Sequence, residues 1–276
     1  MRPLVIGHRG APGYLPEHSA ASYLQAIALG ADAVETDLVM SGDGVLIVRH
    51  EPELSRTTDV ALRPEFAARR RTCSINGRTV TGWFTHDFTL AELRCLNAPT
   101  PGFSILTFDE LLLLLADAPR SPGRPGVGLH VEVKVPSYYS QLGLSMTRPL
   151  LDALYDHGRD EPGTRTYIQS FDAGFLDHIG RRTALPLVQL MERPRDLVAV
   201  AEYADAIGPS RELVLDPEST GLVAHAHRLG LDVFVWTLTN NVAEARGFFA
   251  EGVDGIFSDF PDLAVRARQM ARIAVI

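Results

Sequence analysis

The sequence predicts an α/β protein, a TIM (β/α)8 barrel, from three observations. Short β-branched runs alternate with amphipathic segments along 276 residues, the pattern of a parallel sheet with helices outside it. About eight such repeats close a barrel, and barrels of this kind reach ~250 residues as one unit. No G-x-G-x-x-G follows the first apolar run, which removes the main reason to prefer an open, doubly wound sheet.

Taken in order, strands are expected at residues 4–7, 33–38, 45–49, 129–135, 166–170, 187–190, 232–237 and 253–258, with a weaker candidate at 206–208. Amphipathic helical segments fall at 17–29, 107–116, 142–155, 173–182, 197–204, 219–229 and 243–250. Ser41-Gly42-Asp43-Gly44 is a tight turn between the second and third runs. Parallel neighbours need roughly a dozen residues between them, so either the chain folds back here or the strand boundaries lie elsewhere. The stretch from about 53 to 102 reads as an insertion after the third strand that could cover a substrate site, within a single barrel domain over 1–276. It holds Arg69-Arg70-Arg71, expected to be a solvated basic face, a turn at Asn76-Gly77, and the aromatic residues Trp83, Phe84 and Phe88.

Composition narrows the function. Apolar residues make up 46% of the chain, enough for a large core. A net charge of −8 argues against a general nucleic-acid surface, which would be basic. Cys73 and Cys95 are too few for a disulfide scaffold and lack zinc-type spacing; two free thiols are expected. The first apolar run is too short for a signal-peptide core, and the five leucines at 111–115 are far short of a membrane span. A soluble, cytoplasmic protein without stable membrane anchoring is expected.

The chemistry starts from one residue. Lys134 is the only lysine among 26 basic residues, and a compact ammonium is not interchangeable with a guanidinium fork at a tight site. In a strand of period two, Glu132 and Lys134 share one face while Val131 and Val133 take the other. Glu35 and Asp37 repeat that arrangement on the second strand, their backbones about 6.6 Å apart, with Val34 and Leu38 turned to the helical layer. Three carboxylates from two strands suit a hard divalent cation, Ca²⁺ or Mg²⁺, over zinc. His8 and Arg9 follow the first strand, at the edge where barrel enzymes keep their active sites, between Gly7 and Gly10, which would let backbone approach a ligand. His50 ends the third run, and two histidines can divide acid and base work. The three acids and two cations sum to −1, which a divalent ion turns to +1, a fit for a phosphodiester. Trp236, Gln169 and Phe171 are candidate pocket residues. Ser258-Asp259 ends the last strand near a position that could reach the site, although the favoured role for Asp259 is to cap the helix opening at Pro261.

Together these segments resemble the glycerophosphodiester phosphodiesterase family. The matching pieces are His8-Arg9-Gly10, Pro16-Glu17-His18-Ser19, Gly30-Ala31-Asp32-Ala33-Val34-Glu35-Thr36-Asp37, Asp43-Gly44-Val45 with His50, Val131-Glu132-Val133-Lys134, Val235-Trp236-Thr237 and Gly252-Val253-Asp254-Gly255-Ile256. They span almost the whole chain. His18-Ser19 stands where the family often has Asn-Thr, and Glu51 where Asp commonly follows the histidine. The resemblance implies a barrel with a small inserted segment and a Ca²⁺ or Mg²⁺ ion on Glu35, Asp37 and Glu132. It also implies that His8 and His50 divide the general acid and base roles, in either order with His8 preferred as base, and that Arg9 and Lys134 sit on the phosphate oxygens. The implied reaction releases sn-glycerol 3-phosphate and an alcohol, by attack of the glycerol 2-hydroxyl and opening of a cyclic phosphate. Competing readings keep the barrel but take a lysophospholipid or sphingolipid head group, with Trp83, Phe84 and Phe88 as the interfacial surface. Others make the protein a binder of a phosphorylated ligand without turnover, or a glycoside hydrolase using Glu35 and Glu132.

Overall fold

In the computed structural model, residues 2–97, 104–118 and 126–273 are described; the last part of the predicted insertion, 98–102, lies outside them. The strands are β1 (Leu4–Gly7), β2 (Ala33–Met40), β3 (Leu46–Val48), β4 (Arg71–Ile75), β5 (Arg78–Gly82), β6 (Gly128–Val133), β7 (Thr166–Ser170), β8 (Leu187–Met191), β9 (Ala206–Pro209), β10 (Asp232–Leu238) and β11 (Gly255–Ser258). A nine-stranded sheet runs β1-β11-β10-β9-β8-β7-β6-β2-β3, and β1 also pairs with β2. That last pairing, with Ile6 opposite Ala33, closes a ring of parallel strands and leaves β3 outside it.

Two of the sequence expectations change places here. The run at 45–49 is no stave. Its strand β3 folds back antiparallel on β2, with Leu38 opposite Val48 and Met40 opposite Leu46. Gly44, at φ +82°, takes the left-handed position in the turn, where a side chain would be strained. The eighth stave is the weak candidate, β9, paired in parallel with β8 and β10. Its short Ala206-Ile207-Gly208-Pro209 run lacks the β-branched density of the others. It is nevertheless buried throughout.

The period-two alternation of the staves sorts their side chains into two cores. Ile6, Ala33, Val188, Leu190, Phe234 and Phe257 fill the barrel interior. Val5, Val34, Leu38, Val131, Ile168 and Ile256 face outward to the helices, which bury Tyr23, Leu111, Leu150, Leu176 and Phe248 against them. At roughly 1.5–3 kcal/mol per fully buried large apolar side chain, this outer layer supplies much of the driving force. The helical segment expected at 142–155 is two helices, Pro136–Gln141 and Thr147–Asp156, separated where Gly143 turns to φ +77°.

His130, inside the barrel, stacks on Tyr167 at 4.5 Å between ring centroids and meets the edges of Phe234 and Phe257. Burial holds its pKa down to about 3, so it is a neutral part of an aromatic plug. Glu35 lies level with His130, its partner across β2 and β6, and the paired Asp37 and Glu132 lie two residues further along the same inward face.

Between β3 and β6 the inserted segment builds, among its described residues, three 3-10 turns, Val60–Leu62, Pro64–Arg69 and Thr85–Asp87, the β4–β5 hairpin and a short helix, Leu90–Leu93. Asn76 and Gly77 both have positive φ, +48° and +74°, as a two-residue hairpin turn requires. Glu53 Oε1 docks the hairpin base by accepting Trp83 N–H at 3.2 Å. A Cβ on Gly82 would lie 2.1 Å from that oxygen. The basic patch is a largely exposed face, with Arg70 and Arg71 open to solvent and Arg69 half-buried, and its stems cover protein. Arg69 pairs with Glu92 and lies 4.8 Å from the Phe88 ring, Arg70 lies 5.8 Å from Trp83, and Arg71 donates to Asp87 at 2.7 Å. These side chains lay their charge over a small aromatic core. Trp83, Phe84 and Phe88 are buried in it and present no interfacial surface. Cys73 is buried and Cys95 exposed, both free. No helix among the described residues is long and apolar enough to cross a membrane.

Candidate active site

A cavity of about 880 Å³ opens at the C-terminal end of the staves, within the size range of ligand pockets. His8, Arg9, Glu35 and His50 line it, as do Glu132 and Lys134, and Gln169, Phe171 and Trp236 complete the predicted set on its wall. Asp37 sits buried behind them.

The carboxylates converge from two paired staves. Glu35, Asp37 and Glu132 each offer an oxygen, and these oxygens lie within 4.8 Å of one another. Glu35 Oε2 accepts the Arg9 backbone N–H at 2.8 Å. Asp37 Oδ2 meets Arg9 Nε at 3.1 Å and His18 Nε2 at 3.0 Å. Lys134 Nζ contacts Glu132 Oε1 at 2.5 Å and stands 3.5 Å from Asp37 Oδ1.

Burial acts on all three carboxyls, and their neighbours separate them. Burial, and then Asp37, push the Glu35 carboxyl well above its usual range. Burial also raises Glu132, against the pull of Lys134. Burial alone would raise Asp37 too, but Lys134, Arg9 and the His18 hydrogen bond together hold it well below the usual range. Asp37 Oδ1 is buried with no hydrogen bond. A cluster short of positive charge, all-oxygen and carrying an orphaned buried acceptor, fits a hard divalent cation.

Each histidine carries a carboxylate on one nitrogen. His8 Nδ1 bonds Asp259 Oδ1 at 2.7 Å, and His50 Nδ1 bonds Glu51 Oε1 at 2.7 Å. A carboxylate only accepts, so Nδ1 carries the hydrogen and Nε2 is the free nitrogen of each ring. Burial lowers the His8 pKa, partly offset by the Asp259 bond, leaving a neutral imidazole at pH 7. The bond from His50 draws the Glu51 carboxyl down to about 2. Arg9 commits Nε to Asp37 and Nη1 to Glu17, which leaves Nη2 uncommitted among the described residues.

One reading of the sequence needs correction, and three local contacts add to it. Asp259 reaches back across the barrel seam to His8 and does not cap the helix Pro261–Ile273. Glu51 supports His50 directly, through the bond to its Nδ1. His18 touches a candidate metal ligand through Nε2, while its Nδ1 bonds Tyr23 Oη at 2.8 Å and Tyr23 bonds Thr36 at 2.9 Å. Packing alone already requires glycine at positions 7 and 10: a Cβ at Gly10, at φ +95°, would lie 2.5 Å from Ser22 Oγ, and one at Gly7 would lie 2.8 Å from Ala26 Cβ. Sequence reasoning missed His18 as a contact because its partner is 19 residues away. The signal was an acid-rich strand following a histidine in the first connection.

Trp236 and Phe171 meet edge to face at 5.7 Å, and Trp236 donates Nε1–H to Gly208 O at 2.6 Å. Both rings are therefore fixed by protein contacts while still lining the cavity.

Comparison with known proteins places the chain among relatives of one kind. A model of the glycerophosphoryl diester phosphodiesterase family matches residues 8–263. A glycerophosphodiester phosphodiesterase of Arabidopsis thaliana is 33% identical, covering 94% of this chain and 84% of its own length. One from Haemophilus influenzae is 28% identical over 95% and 88% of the two chains. The structure of an Oleispira antarctica phosphodiesterase in complex with the product sn-glycerol-3-phosphate superposes with a TM-score of 0.76, covering 97% of each chain at 23% identity; that likeness speaks to the fold.

Proposed function

The chain is an enzyme of the glycerophosphoryl diester phosphodiesterase family, and from that premise we propose that it hydrolyses glycerophosphodiesters to sn-glycerol 3-phosphate and an alcohol. One observation carries the reading: three buried carboxylate oxygens lie within 4.8 Å of one another, and two of those acids, Glu35 and Glu132, line a cavity with two carboxylate-bonded histidines and two cations. The divalent ion that Glu35, Asp37 and Glu132 would hold supplies Lewis-acid polarisation when bound; whether it is Ca²⁺ or Mg²⁺ turns on ligand number and rigidity.

The chain's own residues do the rest. His8, neutral and held by Asp259, takes the proton of the glycerol 2-hydroxyl on Nε2 as that oxygen attacks phosphorus. His50, held by Glu51, gives a proton to the departing alcohol oxygen as its bond to phosphorus breaks. The two then exchange roles while water opens the cyclic phosphate, so each ring ends as it began. Arg9 Nη2 and Lys134 Nζ bind the non-bridging oxygens and stabilise the charge that builds on them. Trp236, Gln169 and Phe171 bound the glycerol half.

The test is product analysis with glycerophosphocholine, glycerophosphoglycerol and an analogue lacking the 2-hydroxyl. Release of glycerol 3-phosphate from the first two and inertness of the third is expected. Normal turnover of the deoxy analogue would remove the cyclic path, and no turnover of any diester would remove the enzyme reading. A pure binding role has no use for two histidines each oriented by its own carboxylate.

A further inference from the structure

We propose that His18 is a positioning residue that limits Asp37 to ligation through one oxygen, Oδ1, and so tunes which divalent ion the site prefers; this rests on the ion site of the hydrolytic reading above. The two oxygens of Asp37 have different surroundings. Oδ2 accepts the His18 Nε2–H at 3.0 Å, the only hydrogen bond that this carboxylate receives among the described residues, with Arg9 Nε beside it as an ion pair at 3.1 Å. Oδ1 is buried without a hydrogen bond and stands 3.5 Å from Lys134 Nζ. A carboxylate only accepts, so Nε2 carries its hydrogen whatever the charge of the ring.

The ring that makes this bond is held at its other nitrogen. His18 Nδ1 bonds Tyr23 Oη at 2.8 Å, and Tyr23 Oη bonds Thr36 Oγ1 at 2.9 Å. Thr36 precedes Asp37 on β2 and takes the opposite, outward face, since successive side chains of a strand alternate. The bonds therefore leave β2 on its outer face, cross Tyr23 in the helix Ala20–Ala28, and return through His18 to the inner face of the same strand. All four residues are buried, so His18 is positioned against the very strand whose acid it holds.

The backbone adds a second constraint. His18 sits at φ +59°, in the left-handed region that histidine and asparagine enter more readily than most side chains. Its N–H donates to Arg9 O at 3.0 Å, and Arg9 N–H donates to Glu35 Oε2 at 2.8 Å. One residue thus braces the loop that holds Glu35 and ties down one oxygen of Asp37. Ca²⁺ accepts one or both oxygens of a carboxylate in a flexible shell, whereas Mg²⁺ demands a near-octahedral one. Releasing Oδ2 would let Asp37 turn and offer both oxygens, which helps the larger ion more than the smaller.

The experiment titrates metal-stripped protein with Ca²⁺ and with Mg²⁺ by calorimetry, for the wild type, His18→Asn, His18→Gln and Tyr23→Phe. Asparagine suits the backbone but its amide reaches only as far as imidazole Nδ1, short of Asp37; the glutamine amide reaches as far as Nε2. His18→Asn should lose roughly tenfold to a hundredfold in Mg²⁺ affinity and less in Ca²⁺ affinity, so the ratio of the two moves toward Ca²⁺. His18→Gln should keep the wild-type ratio. Tyr23→Phe, which keeps the packing but frees the histidine ring, should move the ratio the same way by less, and it carries the test alone if a His18 variant does not fold. A purely structural role predicts the reverse order, with glutamine the worse for its strained backbone. Equal losses for both ions in His18→Asn, a His18→Gln ratio shifted as far as that of His18→Asn, or an unchanged ratio in Tyr23→Phe would overturn the inference while the ion site stands. A wild type that binds neither ion would overturn that site and the inference with it.

Discussion

The two histidine–carboxylate pairs have the same local geometry and opposite origins. His8 and Asp259 stand 251 residues apart and meet only because β1 and β11 close the barrel, with the His8 N–H donating to Ser258 O at 3.1 Å. His50 and Glu51 are neighbours in sequence, delivered by the return of β3 along β2 and by the Arg49 clamp. Their exposure follows: the side chains are 19% and 24% exposed in the first pair, 28% and 39% in the second. One half of the proposed acid–base machinery is thus fixed by the global fold, and the other by a local hairpin beside the insertion.

The largest expected effect removes what both halves share. Glu35→Gln or Asp37→Asn should lower turnover on the order of 10³-fold, with the fold retained by circular dichroism; wild-type rates in either would contradict the assigned ligands. His8→Ala and His50→Ala should each lower kcat by roughly 10²–10⁴-fold with little change in product binding by calorimetry. A loss confined to affinity would make both residues binding groups.

The carboxylates separate the two sites further. Asp259→Asn should lower kcat by on the order of 10²-fold, and Glu51→Gln by about tenfold, because the local pair is the more solvated. The pH profile carries a sign. Burial depresses the His8 pKa from its ordinary 6.5 while Asp259 raises it, so the acidic limb of kcat/KM should lie below 6.5 in the wild type. Removing the Asp259 charge should move that limb lower still, and a shift upward would contradict the assignment of His8 as base.

The smallest effect is on stability. Glu35 has a folded pKa above its unfolded one, so the metal-free protein should lose stability as pH rises past the ordinary glutamate value of about 4.5. At neutral pH, metal-free Glu35→Gln should melt no lower than the wild type, at about 2–4 °C per kcal/mol. Adding divalent ion should raise the wild-type Tm and leave the variant unmoved.

Contacts within one strand were the most legible part of the site. The inward face of β2 and β6 followed from period two alone, which is why Glu35, Asp37, Glu132 and Lys134 could be grouped before any coordinates. Contacts that depend on closure were not. Asp259 looked like a helix cap because a local role always competes with a distant one when only spacing is visible. The fold shows the same division. β3 passed for a stave because an antiparallel return has the same apolar run as a parallel strand, while β9 looked weak because Gly208 and Pro209 thin its pattern. The exposure of Arg70 and Arg71 was legible, but the aromatic rings beside Arg69 and Arg70 were not, because a sequence does not show what a long side chain lies across.

The central claim is that the three buried carboxylates form a divalent-ion site on which hydrolysis depends. The direct measurement strips the enzyme of metal, then titrates Ca²⁺ or Mg²⁺ while following both ion binding and glycerol 3-phosphate release from glycerophosphoglycerol. The account predicts no turnover in the stripped enzyme, recovery that saturates with one bound ion per chain, and neither binding nor recovery in Asp37→Asn. Full turnover in the stripped enzyme with chelator present would contradict it.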